Sequence, residues 1–500
     1  MPYSTCVTVR SKPTARASGD NAFSYLQRKS GVAQTQLLNE LPPHENAVQR
    51  ISIVGTGYVG LSTAVCFATR GPDVIASTRN EDKVRIINAK RAPFHEPGLD
   101  EAVRTSIESG HLRTETDRSE AVRQTEVTFL TVGTPEQADG TVDLRYVISA
   151  SEDIGRALKR KNSYHLVVVK STVTPGTVRG PVKAALEEAS GLVAGRDFAL
   201  CMNPEFLRQG SAIQDTLYPD RVIIGEYDEQ SGQRLAELLE GFYEPDIPIL
   251  RMSLESAEMV KYASNAFLAM KISYANEMAR ICERVPGVDV SKLMAGVGLD
   301  KRINPRFLNA GAGFGGSCLP KDTKALCRFA EAQGYSAPLL RATLAVNQAQ
   351  AFHVAQLALA TLGESRDKKV ALLGLSFKPD TDDLREAPSL TVARILLKAG
   401  AHVSAFDPVV KQVRQPGFDG LEYPPSIAAC LAGAQCCIVL TEWEQFKQLT
   451  PDDFIQSMAT PAVIDARRIF DPQEFGNRLT FLAVGLGRDL DGGRASAGDE

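Results

Sequence analysis

The sequence predicts an α/β protein with two doubly wound, mostly parallel sheets joined by a long central helical segment. Three observations carry that reading. From Ile51 onward, short β-rich runs alternate with helical patterns, as in sheets whose strands are linked by crossover helices. Residues 253–285 then contain neither Gly nor Pro, and Pro286-Gly287 ends the run. Strand–helix alternation resumes beyond it, near Val370.

Composition bounds the rest. Five hundred residues allow about three domains at roughly 150 residues each. The chain is 43% hydrophobic and 23% charged, with 56 Lys plus Arg against 60 Asp plus Glu, a formal net charge of −4. That balance gives no global electrostatic attraction to nucleic acid. Collagen, coiled-coil and wholly disordered chains are excluded by composition. The longest apolar run, around Val370–Leu375, is strand-length against the ~18–20 residues of a membrane span. Nine cysteines spread thinly over the chain match the reduced thiols of an intracellular protein, so no membrane attachment is expected and the cytoplasm is the expected location.

Residues 1–49 carry Ser, Thr, Arg and Pro without sustained apolar periodicity, which reads as a disordered leader. It lacks the apolar core of a secretory signal, and its Arg10, Lys12 and Arg16 give only a faint likeness to a transit peptide. Strands are expected at Ile51–Val54, Val127–Val132, Leu166–Val169, Phe198–Leu200, Val222–Ile224 and Ile247–Leu250, with helices such as Tyr146–Leu158 and Pro181–Glu188 between them. The uninterrupted stretch Ser253–Val285 predicts a helix of roughly 50 Å. Then follow Val370–Leu373, the helix Leu390–Lys398, His402–Phe406, Cys437–Leu440 and Val463–Ile464, and a loose tail from residue 488. The expected division is a leader (1–49), a dinucleotide-binding domain (50–252), a helical dimerisation domain (253–345), a second sheet domain (346–487) and the tail.

Directly after the first strand stands Gly55-Thr56-Gly57-Tyr58-Val59-Gly60, a G-x-G-x-x-G that opens a helix. Gly55 permits the tight turn, Gly57 lets the backbone approach a pyrophosphate, and Gly60 lets helix pack on strand. The helix N-terminus offers N–H donors and a positive dipole end. The bland alternative is a glycine-rich turn with no ligand. An acid that grips the adenine ribose is due about 20 residues on, yet the second strand ends Ser77-Thr78-Arg79-Asn80. Thr78 and Arg79 would accept a 2′-phosphate that a carboxylate would repel, which opens NADP. Glu81 or a water in the acid's place would keep NAD.

Three further segments look chemically matched. Asn203-Pro204-Glu205-Phe206-Leu207-Arg208 follows the strand Phe198–Leu200, where ligands gather in open α/β sheets. Lys261 and Asn265 stand at i and i+4 of the long helix, on a face that continues with Leu268 and Ile272. Two such donors on an inward stripe are costly unless used, and they could stabilise an oxyanion; a solvated helix edge is the alternative. The third is Gly311–Asp322, with four glycines in six positions that would let backbone approach a ligand. Pro320 places Cys318 at or just before a helix N-terminus. There, with Lys321 nearby, a thiol is expected to ionise easily, and Asp322 is one turn further on. Cys436 and Cys437, on a β-rich run, read as core. A dinucleotide site with a nucleophilic Cys318 implies more than alcohol-to-aldehyde oxidation: the thiolate can trap the aldehyde so that a second hydride leaves.

These residues resemble the UDP-glucose/GDP-mannose dehydrogenase family. The likeness runs from about Ile51 to Gly487. It is carried by Val54–Gly60, Glu96-Pro97-Gly98-Leu99, Gly133-Thr134-Pro135, Ser171-Thr172-Val173, Asn203–Leu207, Lys261–Asn265, Gly313–Asp322 (GFGGSCLPKD) and Gly374–Pro388 (GLSFKPDTDDLREAP). The resemblance implies two Rossmann-like domains around a central helical domain that dimerises, and oxidation of a UDP-sugar to its uronate with two NAD. It implies Cys318 as the thioester-bearing nucleophile, Lys261 and Asn265 as the oxyanion pair, Asp322 as partner of a catalytic water, and Glu205 and Thr172 as groups ordering water. Substrate contacts would fall on Glu205, Phe206, Leu207, Arg208, Lys261, Asn265, Phe307, Leu308, Asn309, Ala310, Gly311, Gly315 and Lys378. Cofactor contacts would fall on the glycine loop, Lys83, Thr134, Thr172, Lys321 and Arg385, and Arg302 would reach across a homodimer. No metal site is implied.

The chain departs from the family at Thr78, at Gln209 where a glutamate is expected, at His95 where Tyr is common, and in its long leader. UDP-glucose is favoured over GDP-mannose by the likeness of Phe377–Pro388 to the UDP-glucose members. A two-electron β-hydroxyacid dehydrogenase, which would not need Cys318, and a non-catalytic nucleotide-sugar-binding relative are the competing readings.

Overall fold

A computed structural model describes residues 50–487; the expectations for the leader and the tail lie outside the described residues. The chain forms two compact units, one up to Ala263 and one from Ser264, each built on one sheet.

The first unit's sheet contains β1 (Arg50–Val54), β2 (Asp73–Ser77), β3 (Leu112–Glu115), β4 (Val127–Leu130), β5 (Leu166–Val169), β6 (Ala199–Met202), β7 (Val222–Glu226) and β8 (Ile249–Ser253). Their order is β3-β2-β1-β4-β5-β6-β7-β8, parallel throughout except between β6 and β7. The first six follow the 3-2-1-4-5-6 order of dinucleotide-binding sheets. Alternate residues feed opposite faces: Ile51, Ile53, Phe129 and Val168 join one core, and Val54, Leu130, Val167 and Val169 the other. Burial on both faces is why these strands read as unbroken apolar runs.

The second unit repeats the design. Its strands are β9 (Lys369–Leu373), β10 (His402–Phe406), β11 (Leu421–Glu422), β12 (Cys436–Val439), β13 (Ala462–Asp465) and β14 (Thr480–Ala483). The order β11-β10-β9-β12-β13-β14 is again 3-2-1-4-5-6 counted from β9, and every pairing is parallel. The expected α/β class with two parallel-sheet domains and a helical region is what the chain adopts.

The helix Leu254–Cys282, called the central helix below, has 29 residues, roughly 44 Å. It ends three residues short of the expected Val285, the chain turning through Gly287 at φ 76°. The helix expected at Pro181–Glu188 is a π-turn, Val178–Val182, followed by a helix from Lys183 to Ser190, because Pro181 has no N–H to join a regular ladder. Strands β3, β11 and β14 and the helix Pro338–Leu362 were not expected. In β3 only Leu112 is buried and β11 is two residues long, so neither carries a readable pattern.

Candidate active site

In the first sheet the strand order reverses between β1 and β4, which opens a crevice at their carboxyl ends. The glycine loop lies there. Gly55 holds φ 116°, and a Cβ on it would stand 2.9 Å from the Thr131 backbone; a Cβ on Gly60 would stand 1.9 Å from the Gly55 carbonyl. Both glycines are thus dictated by the protein itself. Gly57 is different: nothing lies within 4 Å of a Cβ there. It is the N-cap of the helix Tyr58–Ala68, which has no side-chain cap and no acid in its first turn, so its first N–H groups have no partner inside the helix. The buried Thr56 hydroxyl has no hydrogen-bond partner. These features fit a pyrophosphate seated on the helix end. Tyr58 packs against Phe94 with the rings tilted, centroids 4.1 Å apart, and the Val59 carbonyl accepts from Thr63. Lys83 Nζ donates to the Thr56 carbonyl at 3.4 Å, and burial lowers its pKa. Thr134 Oγ1 donates to the Thr172 carbonyl at 2.8 Å, tying two expected cofactor residues together.

Beyond β6 lies a buried charge group. Lys261 Nζ stands 2.8 Å from Glu205 Oε1, and Glu205 Oε2 accepts from the Leu207 N–H at 2.6 Å. Lys170 Nζ donates to Asn203 Oδ1 at 2.8 Å, and Asn203 donates onward to the Ile223 carbonyl. Burial alone would push the Glu205 carboxyl up. The ion pair and hydrogen bond to Lys261, the Leu207 N–H and the Lys170 charge together hold it below the ordinary carboxylate range. Burial pushes Lys170 down to about 8, with Glu205 pulling up and Lys261 pushing further down. Phe206 is stacked by the Arg221 guanidinium, 3.9 Å from the ring centroid. Arg208 is held by Asp215 at 2.7 Å. Glu258, one turn before Lys261 on the central helix, accepts from the N–H groups of Gly176 and Val178, and so anchors the loop that begins at Thr172.

In the second unit Cys318 is the N-cap of the helix Leu319–Ala332, with Pro320 in its first turn. Of the eight described cysteines it alone is exposed, its sulfur 3.6 Å from the Ser317 hydroxyl. The Asp322 N–H bonds the Cys318 carbonyl. The buried Asp322 carboxylate accepts from Asn265 Nδ2 at 2.6 Å and from Lys321 Nζ at 2.5 Å. Carboxylates therefore meet the cost of burying both helix donors: Glu205 for Lys261 and Asp322 for Asn265.

The glycine-rich approach to Cys318 needs a correction. Those glycines are explained by the chain's own backbone and side chains rather than by room for a ligand: a Cβ on Gly311 would meet the Ala466 carbonyl, on Gly313 Asn347, on Gly315 the Glu386 carbonyl, and on Gly316 the Phe377 ring. The GLSFKPDTDDLREAP loop packs directly on GFGGSC, with the Gly316 N–H bonded to the Arg385 carbonyl at 2.8 Å. Phe307 holds φ 66°, a strained conformation for a bulky residue. Leu308 and Ala310 beside it are buried and Asn309 is exposed, while Asn276 and Gln350 pin Gly311 from both sides. Lys378 lies 5.8 Å over Phe377. Arg385 is paired with the buried Asp383 and Arg302 with Asp300, each partner only two residues away in the chain.

Three profiles of the UDP-glucose/GDP-mannose dehydrogenase family match in succession: its NAD binding domain over residues 49–243, its central domain over 255–349 and its UDP binding domain over 371–472. The chain belongs to this family. It is 42% identical to a UDP-glucose 6-dehydrogenase of Haloferax volcanii over 85% of this chain and 98% of that protein. It is also 42% identical to a GDP-mannose 6-dehydrogenase of Azotobacter vinelandii, over 74% and 84%. A solved UDP-glucose dehydrogenase from Pyrobaculum islandicum superposes with a TM-score of 0.83 at 40% identity, covering 90% of this chain and all of that one.

As a member of the UDP-glucose/GDP-mannose dehydrogenase family, the chain is an oxidoreductase with a nicotinamide cofactor. Among its described residues no helix is long and apolar enough to cross a membrane, and no cluster of His, Cys, Asp and Glu could hold a metal. Sequence reasoning missed Lys170, Glu258 and Glu96; the last accepts from the N–H groups of Gly210 and Ala212 and braces the loop after Glu205. Glu96 stands inside the motif Glu96-Pro97-Gly98-Leu99 and Lys170 directly before Ser171-Thr172-Val173, and that placement was the available signal.

Proposed function

We propose that this family member oxidises the C6 alcohol of UDP-glucose to UDP-glucuronate in two two-electron steps. The observation that carries the reading is Cys318, alone in its exposure among the described cysteines, at a helix N-cap with a buried carboxylate one turn away. Bound nicotinamide supplies the electron sink, taking one hydride at each oxidation. In the first oxidation the alcohol loses a hydride and passes its hydroxyl proton to water to give the aldehyde. The Cys318 sulfur then adds to the carbonyl carbon, and the Lys261 ammonium and Asn265 amide donate to the resulting alkoxide. Loss of a second hydride from that thiohemiacetal leaves a thioester. Water attacks it, the carbon–sulfur bond breaks, and carboxylate and thiolate are released. Asp322 holds the proton of the attacking water, and Glu205, ionised beside Lys261, orders that water together with Thr172.

In this reading residues 50–252 hold the dinucleotide, 253–345 pair two copies and carry Cys318, and 346–487 hold the nucleotide sugar. Pairing is supported by Phe267, Tyr274 and Ile281, which are 57%, 46% and 53% exposed on the central helix. Their spacing of seven puts them along one stripe. A cytoplasmic homodimer acting on a UDP-sugar is the assembly that this supports.

Assay of the purified protein with UDP-glucose should yield two reduced cofactors per uronate. One reduced cofactor with free aldehyde would remove the thioester scheme. The identity shared with GDP-mannose 6-dehydrogenases makes GDP-mannose the second substrate to offer.

A further inference from the structure

Beyond the end of β2 the chain builds a cluster that the proposed chemistry does not use. Asp153, on the helix Arg145–Leu158, is buried with its side chain 11% exposed. Its Oδ2 is 2.5 Å from Arg79 and 3.0 Å from Arg118, and its Oδ1 is 2.5 Å from Arg156. Arg79 also donates to Ser149 Oγ at 3.4 Å. We propose that Arg79 and Arg118, presented on Asp153 beside Thr78, form a receptor for a phosphate on the 2′-oxygen of the adenine ribose, so that this chain takes the 2′-phosphorylated dinucleotide in preference to NAD. The proposal rests on the dinucleotide crevice described above and specifies which dinucleotide enters it.

Position is the first argument. In a sheet of this order the ribose of the adenosine half lies at the end of β2, which is Ser77, and the next residues are Thr78 and Arg79. An NAD site places a carboxylate there to accept from two hydroxyls. The nearby acids are otherwise engaged or exposed. Asp153 has both oxygens taken by guanidinium groups. Asp82 is paired with Arg85, Glu115 accepts from the Asp117 N–H, and Glu81 is exposed in the first turn of the next helix.

Charge is the second. Three arginines on one aspartate leave a surplus of 3 − 1 = +2, which Glu152, 4.0 Å from Arg156, reduces to +1. Arg118 is 12% exposed and its Nε has no partner. Its burial and the neighbouring Arg79 charge both weigh against its cationic form, with Asp153 compensating only in part. An added dianion would relieve that imbalance. Thr78 Oγ1 accepts from the Asn80 N–H at 3.3 Å, so its hydroxyl proton remains to donate to the same anion. A structural role alone, tying helix to strand, would need one arginine per aspartate rather than three.

The probes are adenosine 2′,5′-bisphosphate and adenosine 5′-monophosphate, titrated calorimetrically into the full-length protein without sugar substrate, followed by NADP and NAD. The bisphosphate should bind roughly ten- to hundredfold tighter, the worth of one strong charge-assisted hydrogen bond, and NADP should outbind NAD. Arg79→Ala, at an exposed position, should abolish that ratio while leaving the monophosphate affinity within about a factor of two, and Thr78→Asp should invert it by repulsion. Equal affinity for the two probes, tighter NAD than NADP, or equal weakening of both probes by Arg79→Ala would each overturn the proposal while leaving the dehydrogenase reading intact. Failure to bind either dinucleotide would overturn both.

Discussion

Asn265 donates to Asp322 at 2.6 Å across 57 residues of chain, while the Asp322 N–H closes the first helical turn on the Cys318 carbonyl. A residue of the central helix thereby fixes the carboxylate that stands one turn from the thiol. Asp322→Asn keeps one acceptor oxygen but turns an NH2 donor toward either Asn265 or Lys321. The expected result is a fall in kcat of roughly 10²- to 10⁴-fold, the scale of losing a general acid–base group, with about 1–3 kcal/mol of stability lost from the broken buried hydrogen bonds. Stopped-flow turnover and chemical denaturation read the two effects separately.

Cys318→Ser should abolish steady-state turnover by several orders of magnitude, because a hydroxyl at neutral pH is a far weaker nucleophile than a thiol. Cys327→Ser, on the same helix but buried, should leave kcat unchanged apart from a stability loss. Equal damage from both would deny Cys318 its role.

Lys261→Met would leave Glu205 buried against Lys170 alone. Removing one partner of such a pair costs about 3–5 kcal/mol at neutral pH. In the wild type Glu205 titrates below its ordinary range, so its contribution is present above the unfolded pKa and is lost as pH falls through the lower folded value. In the variant that contribution vanishes, so the stability deficit should shrink on going from pH 7 to pH 4. A deficit independent of pH would show that packing, not charge, is what Lys261 supplies.

Glu258 has the opposite sign. Burial outweighs the two backbone N–H groups and raises its pKa to about 7. The folded state then holds a proton that the unfolded state gives up above about 4.5, so stability from this group is full at low pH and declines as pH rises from about 4.5 through 7. Glu258→Gln should flatten that slope in a series of denaturation midpoints and, by loosening the loop that starts at Thr172, lower kcat as well.

Phe267→Arg on the exposed stripe should shift the protein from dimer to monomer in analytical ultracentrifugation at micromolar concentration, since a charge at an apolar interface core is strongly disfavoured. An unchanged sedimentation coefficient would place the pairing surface elsewhere.

The legible parts of this protein were those whose chemistry is local in sequence. The glycine loop could be read because backbone geometry alone demands Gly55 and Gly60. Cys318 could be read because Pro320 marks a helix start four residues before Asp322. What escaped depends on distant pairing. Lys170 reads as the last residue of a strand until Asn203 and Glu205 come alongside it. Arg79 is legible as a partner for a 2′-phosphate, but Asp153, 74 residues away, which holds it, is not. The glycines before Cys318 were misread for the same reason, since the atoms that crowd Gly315 come from Glu386.

The distribution of sulfur has a practical corollary. Between residues 50 and 487 one thiol meets solvent and seven are sealed inside, with Cys66, Cys430 and Cys436 pushed up to about 12. A mild alkylating reagent at neutral pH should consume Cys318 at once, and reach the others only as fast as the fold opens. Mass spectrometry of timed samples would then read two clocks from one reaction, the fast adduct reporting on the reactive sulfur and the slow ones on how often each sheet comes apart.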